Sequence, residues 1–196
     1  MTFQFKHLHF FQSRLNAWFD RNGRDFPWRN PKASDYQKVI SEILLQRTRA
    51  ESVANFLPIF FMNYPSWEKL ADADETKIRE IIRPVGLWKQ KTNILKSLSQ
   101  ELVIRKGIFP SNRDDLERLP GIGQYIASAI LLLIYNRPEP LLDVNMQRVL
   151  ERFFGPRKMA DIRYDPYLQE LSRKVISTKN PVNMNYAILD YGALVC

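Results

Sequence analysis

The sequence predicts an all-α protein. Three observations carry that reading. Apolar residues recur at three- and four-residue spacing along the chain, strand-like alternation is almost absent, and the interruptions are short groups rich in Pro, Gly, Asn, Asp and Ser. The 196 residues suffice for one sizeable domain or for two small helical lobes sharing a cleft. An apolar content of 45% supplies a packed core, and 26% charged residues is not a disordered composition.

About ten helices joined by short loops account for the pattern. Phe11, Leu15, Trp18 and Phe19 share one face of a first helix, which Asn22-Gly23 stops. Arg24 to Lys32 carries Pro27 and Pro31 and reads as an ordered loop. Ser34 or Asp35 is placed to cap a second helix, whose apolar stripe is Val39, Ile40, Ile43 and Leu44. A third helix runs from about Ala50 to Tyr64, and Pro58 is expected to kink or break it. Short helices follow at Trp67–Ala73 and Glu75–Ile82, then a turn at Pro84-Val85-Gly86 and a helix over Lys89–Lys106. Pro110-Ser111-Asn112 separates that helix from Asp114–Arg118. A long apolar helix spans Gln124–Tyr135 and ends at Arg137-Pro138; the next, Val144–Phe154, is capped by Asp143. The tail holds helices near Pro166–Thr178 and Met184–Val195.

The charge balance narrows the partners. With 29 basic and 21 acidic side chains the formal charge is +8, an excess that favours a polyanionic partner without establishing one. The only cysteine, Cys196, allows no disulfide framework, which suits a reducing compartment. Lys6, His7 and His9 interrupt the N-terminal residues, so no signal peptide is expected there. Ile126–Tyr135 is far too short to cross a membrane. A soluble, intracellular, cytoplasmic protein with no membrane partner is expected.

One turn stands out. Leu119-Pro120-Gly121-Ile122-Gly123 lies between two helices, and two glycines at that spacing permit a tight hairpin with a positive φ. The helix starting near Gln124 then presents its first amides as an anion site suited to a phosphate. A bare G-x-G is more simply an ordinary corner between two helices. Its surroundings say more. The stretch LERLPGIGQYIASAI, followed after a linker by LLDVNMQRVLERFFG, resembles the helix-hairpin-helix–GPD superfamily of DNA glycosylases, which includes endonuclease III, the MutY-type adenine glycosylases and the thymine mismatch glycosylases. RDFPWR at 24–29, SEILLQRT at 41–48, GLWKQK at 86–91 and the terminal NYAILDYGALVC have counterparts there too, so the resemblance covers nearly the whole chain.

That resemblance implies a fold of two helical lobes with a DNA-binding cleft between them and the helix-hairpin-helix motif at the cleft. The expected lobes are 1–33 with 139–196, carrying Asp143, and 34–138, a six-helix lobe carrying the hairpin. It also implies a reaction: a base is flipped out of the duplex, at a cost of a few kcal/mol, and its glycosidic bond is cleaved through an oxocarbenium-like state. Asp143 matches the catalytic aspartate. Asp is also an excellent N-cap, and the capping hydrogen bonds are expected to keep the group ionised. Tyr125 stands where bifunctional members carry a lysine that forms a Schiff base. A phenol cannot do so, which argues for base removal without strand cleavage. The alternative for Tyr125 is a packed aromatic at a helix start.

Glu42 aligns with the acid that protonates the leaving adenine in MutY-type enzymes, though it would also suit a surface position on an amphipathic helix. Gln46 and Arg47 match the loop that fills the gap left by the flipped base, and Trp88-Lys89-Gln90 resembles a second wedge. Lys91 and Arg148 are candidates for phosphate contacts, as are the backbone of Gly121 and Gly123 and the helix start at Gln124. Asn145 matches an asparagine beside the aspartate in MutY-type enzymes.

Many relatives end in a [4Fe–4S] cluster held by four cysteines. Cys196 falls where the first ligand would be, and one thiolate cannot hold a cluster. No cofactor is therefore expected on this chain, and a cluster only if the natural chain continues past Cys196 with three more cysteines. The EILLQRT and ERFFG segments look closer to the thymine mismatch glycosylases, so the expected substrate is thymine or uracil opposite guanine. Adenine comes second and a modified base third. The expected partner is double-stranded DNA carrying a mismatched or damaged base, bound by a monomer associated with the nucleoid. A helix-hairpin-helix protein that grips DNA without excision, and a helical protein with no nucleic-acid role, are the readings from other classes.

Overall fold

The structure, a computed structural model, describes residues 7–196. The residues before His7, including Lys6 of the N-terminal reading, lie outside the described residues. Among the described residues the regular elements are eleven α-helices and one 3-10 turn. The helices are α1 (Leu8–Asn22), α2 (Asp35–Leu45), α3 (Ala50–Asn63), α4 (Trp67–Asp72), α5 (Glu75–Ile82), α6 (Trp88–Ile104), α7 (Arg113–Glu117), α8 (Gln124–Leu133), α9 (Val144–Phe154), α10 (Pro166–Ile176) and α11 (Pro181–Leu194). The all-α expectation holds. None of these helices is long and apolar enough to cross a membrane.

Local chemistry sets most of the boundaries. Ser34, not Asp35, caps α2: its hydroxyl accepts from the Gln37 amide while the Gln37 side chain accepts from the Ser34 amide, a reciprocal capping box. The loop after α1 contains a 3-10 turn at Pro27–Arg29, where the buried rings of Phe26 and Trp28 stack with centroids 4.6 Å apart. Pro58 does not break α3. It is exposed, so the backbone bond it removes lies on the solvent side, while Val53, Phe56, Leu57 and Phe60 bury the opposite face. α8 ends at Leu133, before Tyr135, because the Arg137 amide folds back onto the Leu131 carbonyl (2.9 Å) past a left-handed Asn136 (φ 55°). α11 starts at Pro181, earlier than Met184, since proline is preorganised for a first helical position and the Asn180 side chain accepts from the Asn183 amide (3.0 Å).

The chain divides into two compact units. One takes the described residues up to Asp25 together with Leu131–Cys196, the other Phe26–Ile130. In the first, α11 packs against α1, α9 and α10, and Phe11, Leu15, Met146, Leu150, Leu168, Val175 and Ile188 form its core. In the second, α6 packs against α4, α5 and α2, around Ile40, Ile43, Leu57, Phe60, Leu70, Leu95 and Leu98. All four residues of the stripe assigned to α2 are buried. Each such side chain contributes roughly 1.5–3 kcal/mol of transfer free energy, so α2 is held firmly in place.

Candidate functional site

Asp143 precedes α9 in extended conformation and caps it. Its Oδ1 accepts from the amides of Asn145 (2.9 Å) and Met146 (2.8 Å), and its Oδ2 accepts from Asn145 Nδ2 (2.9 Å). Arg148 Nη2 donates to Asn145 Oδ1 (2.8 Å) and to the Gly192 carbonyl of α11 (2.7 Å). Three residues named from the sequence thus meet in one relay. Arg148, half-buried, holds Asn145 through Nη2, and Asn145 in turn orients the carboxylate. The capping bonds from Met146 and Asn145 favour the ionised form, as expected, and so does the charge of Arg148, but desolvation by burial outweighs them and raises the carboxyl above its ordinary value of 3.8.

Two residues that sequence reasoning missed build this corner. A Cβ on Gly192 would lie 2.8 Å from the Asn145 Cβ and 3.0 Å from the Asn145 carbonyl oxygen, so a glycine lets α11 lie against the first turn of α9. Asn185, fully buried, accepts from the Leu141 amide (2.7 Å) and donates to the carbonyls of Glu139 (3.2 Å) and Pro181 (2.9 Å). It fixes the segment that leads into Asp143. The available signal was a lone polar residue inside the apolar run Met184–Ile188.

In the other unit the hairpin forms as expected. Gly121 has φ +72°, and a Cβ there would overlap the side chain of Ile94 in α6. Gly123 has open space around it, with nothing within 4 Å of an added Cβ. The Ile122 amide closes onto the Leu119 carbonyl (3.1 Å), and α8 follows directly with Gln124 and Tyr125, both half-buried. Arg113, unremarked in the sequence, braces the hairpin from α7: Nη1 donates to the Gln124 carbonyl (3.3 Å) and Nη2 to Ser128 Oγ (3.0 Å).

Glu42 sits within α2 and is only 3% exposed, which excludes the surface-position alternative. At the end of that helix Gln46 is half-buried, and Arg47 is exposed with a left-handed φ of 51°. Trp88 opens α6 half-buried, with Lys89 Nζ 5.3 Å above its ring; Lys89 and Gln90 are exposed. The preceding Leu87, which the sequence reading passed over, is left-handed (φ 59°) and 41% exposed. Lys91 overturns its expectation. At 1% exposure it cannot meet a phosphate; its Nζ turns inward to the Leu44 carbonyl (2.7 Å) and Thr48 Oγ1 (2.8 Å).

Residues 40–175 match the HhH-GPD superfamily of base excision DNA repair proteins, and the chain belongs to that superfamily. Among its relatives, a thymine/uracil-DNA glycosylase of Pyrobaculum aerophilum is 38% identical over 192 residues, covering 95% of this chain and 83% of the relative. A thymine-DNA glycosylase of Aeropyrum pernix is 36% identical, covering 93% of this chain and 84% of the relative. The solved structure of a thermostable thymine-DNA glycosylase superposes with a TM-score of 0.88 at 29% identity, covering 97% of this chain and 88% of that one.

Of the four thiolates that an iron–sulfur cluster of the superfamily would take, the residues present supply one. Cys196 is the sole cysteine, half-buried against the core of its unit, and its carbonyl accepts from Arg152 Nη1 (2.9 Å). Such a cluster takes four protein ligands. Among the described residues no group of three or more His, Cys, Asp or Glu is placed to hold a metal ion.

Proposed function

We propose that this protein is a monofunctional DNA glycosylase that binds double-stranded DNA as a monomer and removes thymine or uracil mispaired with guanine, leaving an abasic site. The observation that carries this reading is Asp143. It is a desolvated carboxylate with one oxygen anchored by two backbone amides and the other by Asn145, in a chain whose relatives are thymine and thymine/uracil glycosylases. As the C1′–N bond breaks, the base leaves with the bonding electron pair and takes up a proton. Positive charge develops on the sugar, and the Asp143 carboxylate stabilises it electrostatically. Water adds to C1′ and gives up a proton, which completes hydrolysis. Glu42, a buried carboxyl on a rigid helix, serves the leaving base as hydrogen-bonding partner and proton donor. The Tyr125 phenol offers no amine for a Schiff base, so the backbone is left intact. The glycine hairpin and the start of α8 grip a phosphate.

A panel of end-labelled duplexes tests this, each holding one G·T, G·U or G·A mismatch, treated with protein and then with alkali. Breaks that appear after alkali in the G·T and G·U duplexes are expected. Cleavage restricted to adenine would move the substrate to that base. Breaks before alkali would refute monofunctional chemistry, and binding without breaks in any duplex would refute excision.

A further inference from the structure

Lys91 is the largest anomaly in the molecule. It is a lysine buried to 1% exposure whose two hydrogen-bond acceptors, a backbone carbonyl and a hydroxyl, carry no negative charge. Burial pulls its ammonium down to about 8, so the charged form is held at a cost. A core that needed only packing would take an apolar residue there. What the lysine does is tie the first turn of α6 to the end of α2 and the loop that follows it. The Leu44 carbonyl belongs to the last turn of α2, where a cation also meets the negative end of the helix dipole. Thr48 closes the loop that follows, its amide donating to the Leu45 carbonyl (3.0 Å). The turn before α6 lies against the same loop. A Cβ on Gly86 would lie 2.8 Å from the Arg47 carbonyl oxygen and 3.3 Å from Thr48 Oγ1.

The two loops held this way carry Arg47 and Leu87, both non-glycine residues in the left-handed region and both exposed. Side chains there are strained and persist only where their surroundings over-determine them. Strain of that kind at two adjoining exposed tips marks a preorganised contact surface.

We propose that Lys91 is a positioning residue that locks the Arg47 tip to the Leu87 tip, so that the two enter a distorted duplex as one rigid wedge. This rests on the DNA-glycosylase reading above.

The test compares wild type with Lys91→Met and with Thr48→Val, which removes one acceptor and leaves the lysine. Two readouts are used. The first is the single-turnover rate of thymine excision from a fully paired duplex with one G·T mismatch, divided by the rate from the same thymine in an unpaired bulge, where no partner base has to be separated. The lock predicts that this ratio falls about 10- to 100-fold in Lys91→Met and roughly three- to tenfold in Thr48→Val. A general loss of stability would lower both rates together and leave the ratio unchanged. The second readout needs no DNA: the rate of tryptic cleavage after Arg47 in the intact protein, expected to rise about tenfold in both variants as the tip loosens. A wild-type ratio with unchanged cleavage at Arg47 in a folded variant overturns the proposal; if Lys91→Met does not fold, Thr48→Val decides by the same criteria. Absence of excision by the wild type would count against the glycosylase reading alone, and the Arg47 cleavage rates would still decide the lock.

Discussion

Replacing Asp143 by asparagine separates the charge of this residue from its place in the fold. Asparagine is as good an N-cap as aspartate, and its Oδ1 keeps the amides of Asn145 and Met146, now at 2.9 and 2.8 Å. The other side-chain atom becomes an NH2 group facing Asn145 Nδ2 at the 2.9 Å position of Oδ2. Two donors would then meet, so Asn145 must turn its amide, and its Oδ1 leaves Arg148 Nη2. That is one hydrogen bond, worth about 0.5–1.5 kcal/mol. Loss of a desolvated charge offsets it, since burial already disfavours the ionised form of Asp143. The variant is expected to fold within about 1 kcal/mol of wild type. Catalysis is another matter. A unit charge about 4 Å from a developing cation, at an effective dielectric constant near 20, contributes about 4 kcal/mol. At 1.36 kcal/mol per tenfold, that is roughly a 10³-fold loss of rate. The assay is single-turnover excision from a G·T duplex read after alkali, with duplex binding and thermal melting measured on the same preparation. A folded variant within about tenfold of the wild-type rate would refute the charge-stabilisation argument. A loss of DNA affinity matching the loss of rate would show instead that the residue shapes the binding surface.

The same carboxyl sets a pH dependence. Because burial raises it above 3.8 and excision needs it ionised, the acid limb of the single-turnover profile is expected above the ordinary aspartate range, and a midpoint at or below 3.8 would contradict this. For stability the sign runs the other way. The contribution of a carboxyl raised on folding is fully present below its unfolded value and lost as pH climbs through its folded value, so melting scans should show Asp143→Asn gaining on wild type from acid to neutral pH. Borohydride should trap no covalent complex between wild type and substrate DNA, whereas Tyr125→Lys supplies an amine and should be trapped on a denaturing gel; a trapped wild type would sink the monofunctional assignment. Gly192→Ala places a Cβ 2.8 Å from the Asn145 Cβ, and overpacking of that kind costs about 1–3 kcal/mol, read as a lower urea midpoint with slower excision. An unchanged midpoint would mean that α11 moves aside freely.

Much of the architecture was legible because it rests on local chemistry. Asp143 before Val144 and the 3.6-residue stripe of α2 are short-range signals that form as read, and of the two caps offered for α2 the chain uses Ser34. The departures are equally physical. Pro58 breaks a helix only where the lost bond cannot be served, and here it faces solvent. Pro181 extends α11 because proline belongs at a helix start.

The candidate site divides along a different line. The superfamily resemblance pointed to Asp143 and Glu42, and the two glycines pointed to the hairpin; the local geometry of each depends largely on its own helix. Residue type and spacing could not identify which polar side chains turn inward, because that depends on acceptors contributed by residues distant in sequence. Lys91 reads as a surface cation beside Lys89, yet its acceptors lie 47 and 43 residues away. Arg148 reads as a phosphate contact, yet it bonds the Gly192 carbonyl 44 residues on. In both cases one cation bonds a backbone carbonyl and a side-chain oxygen inside its own unit, using several donors of one group. Exposed cations contribute to DNA affinity through phosphates, at a strength that salt screens. On the proposed function, inward-turned ones set the placement of groups that act on a single nucleotide. Substituting Lys89 should therefore weaken binding to every duplex and flatten its salt dependence, while substituting Lys91 or Arg148 should slow excision with the salt slope of binding unchanged.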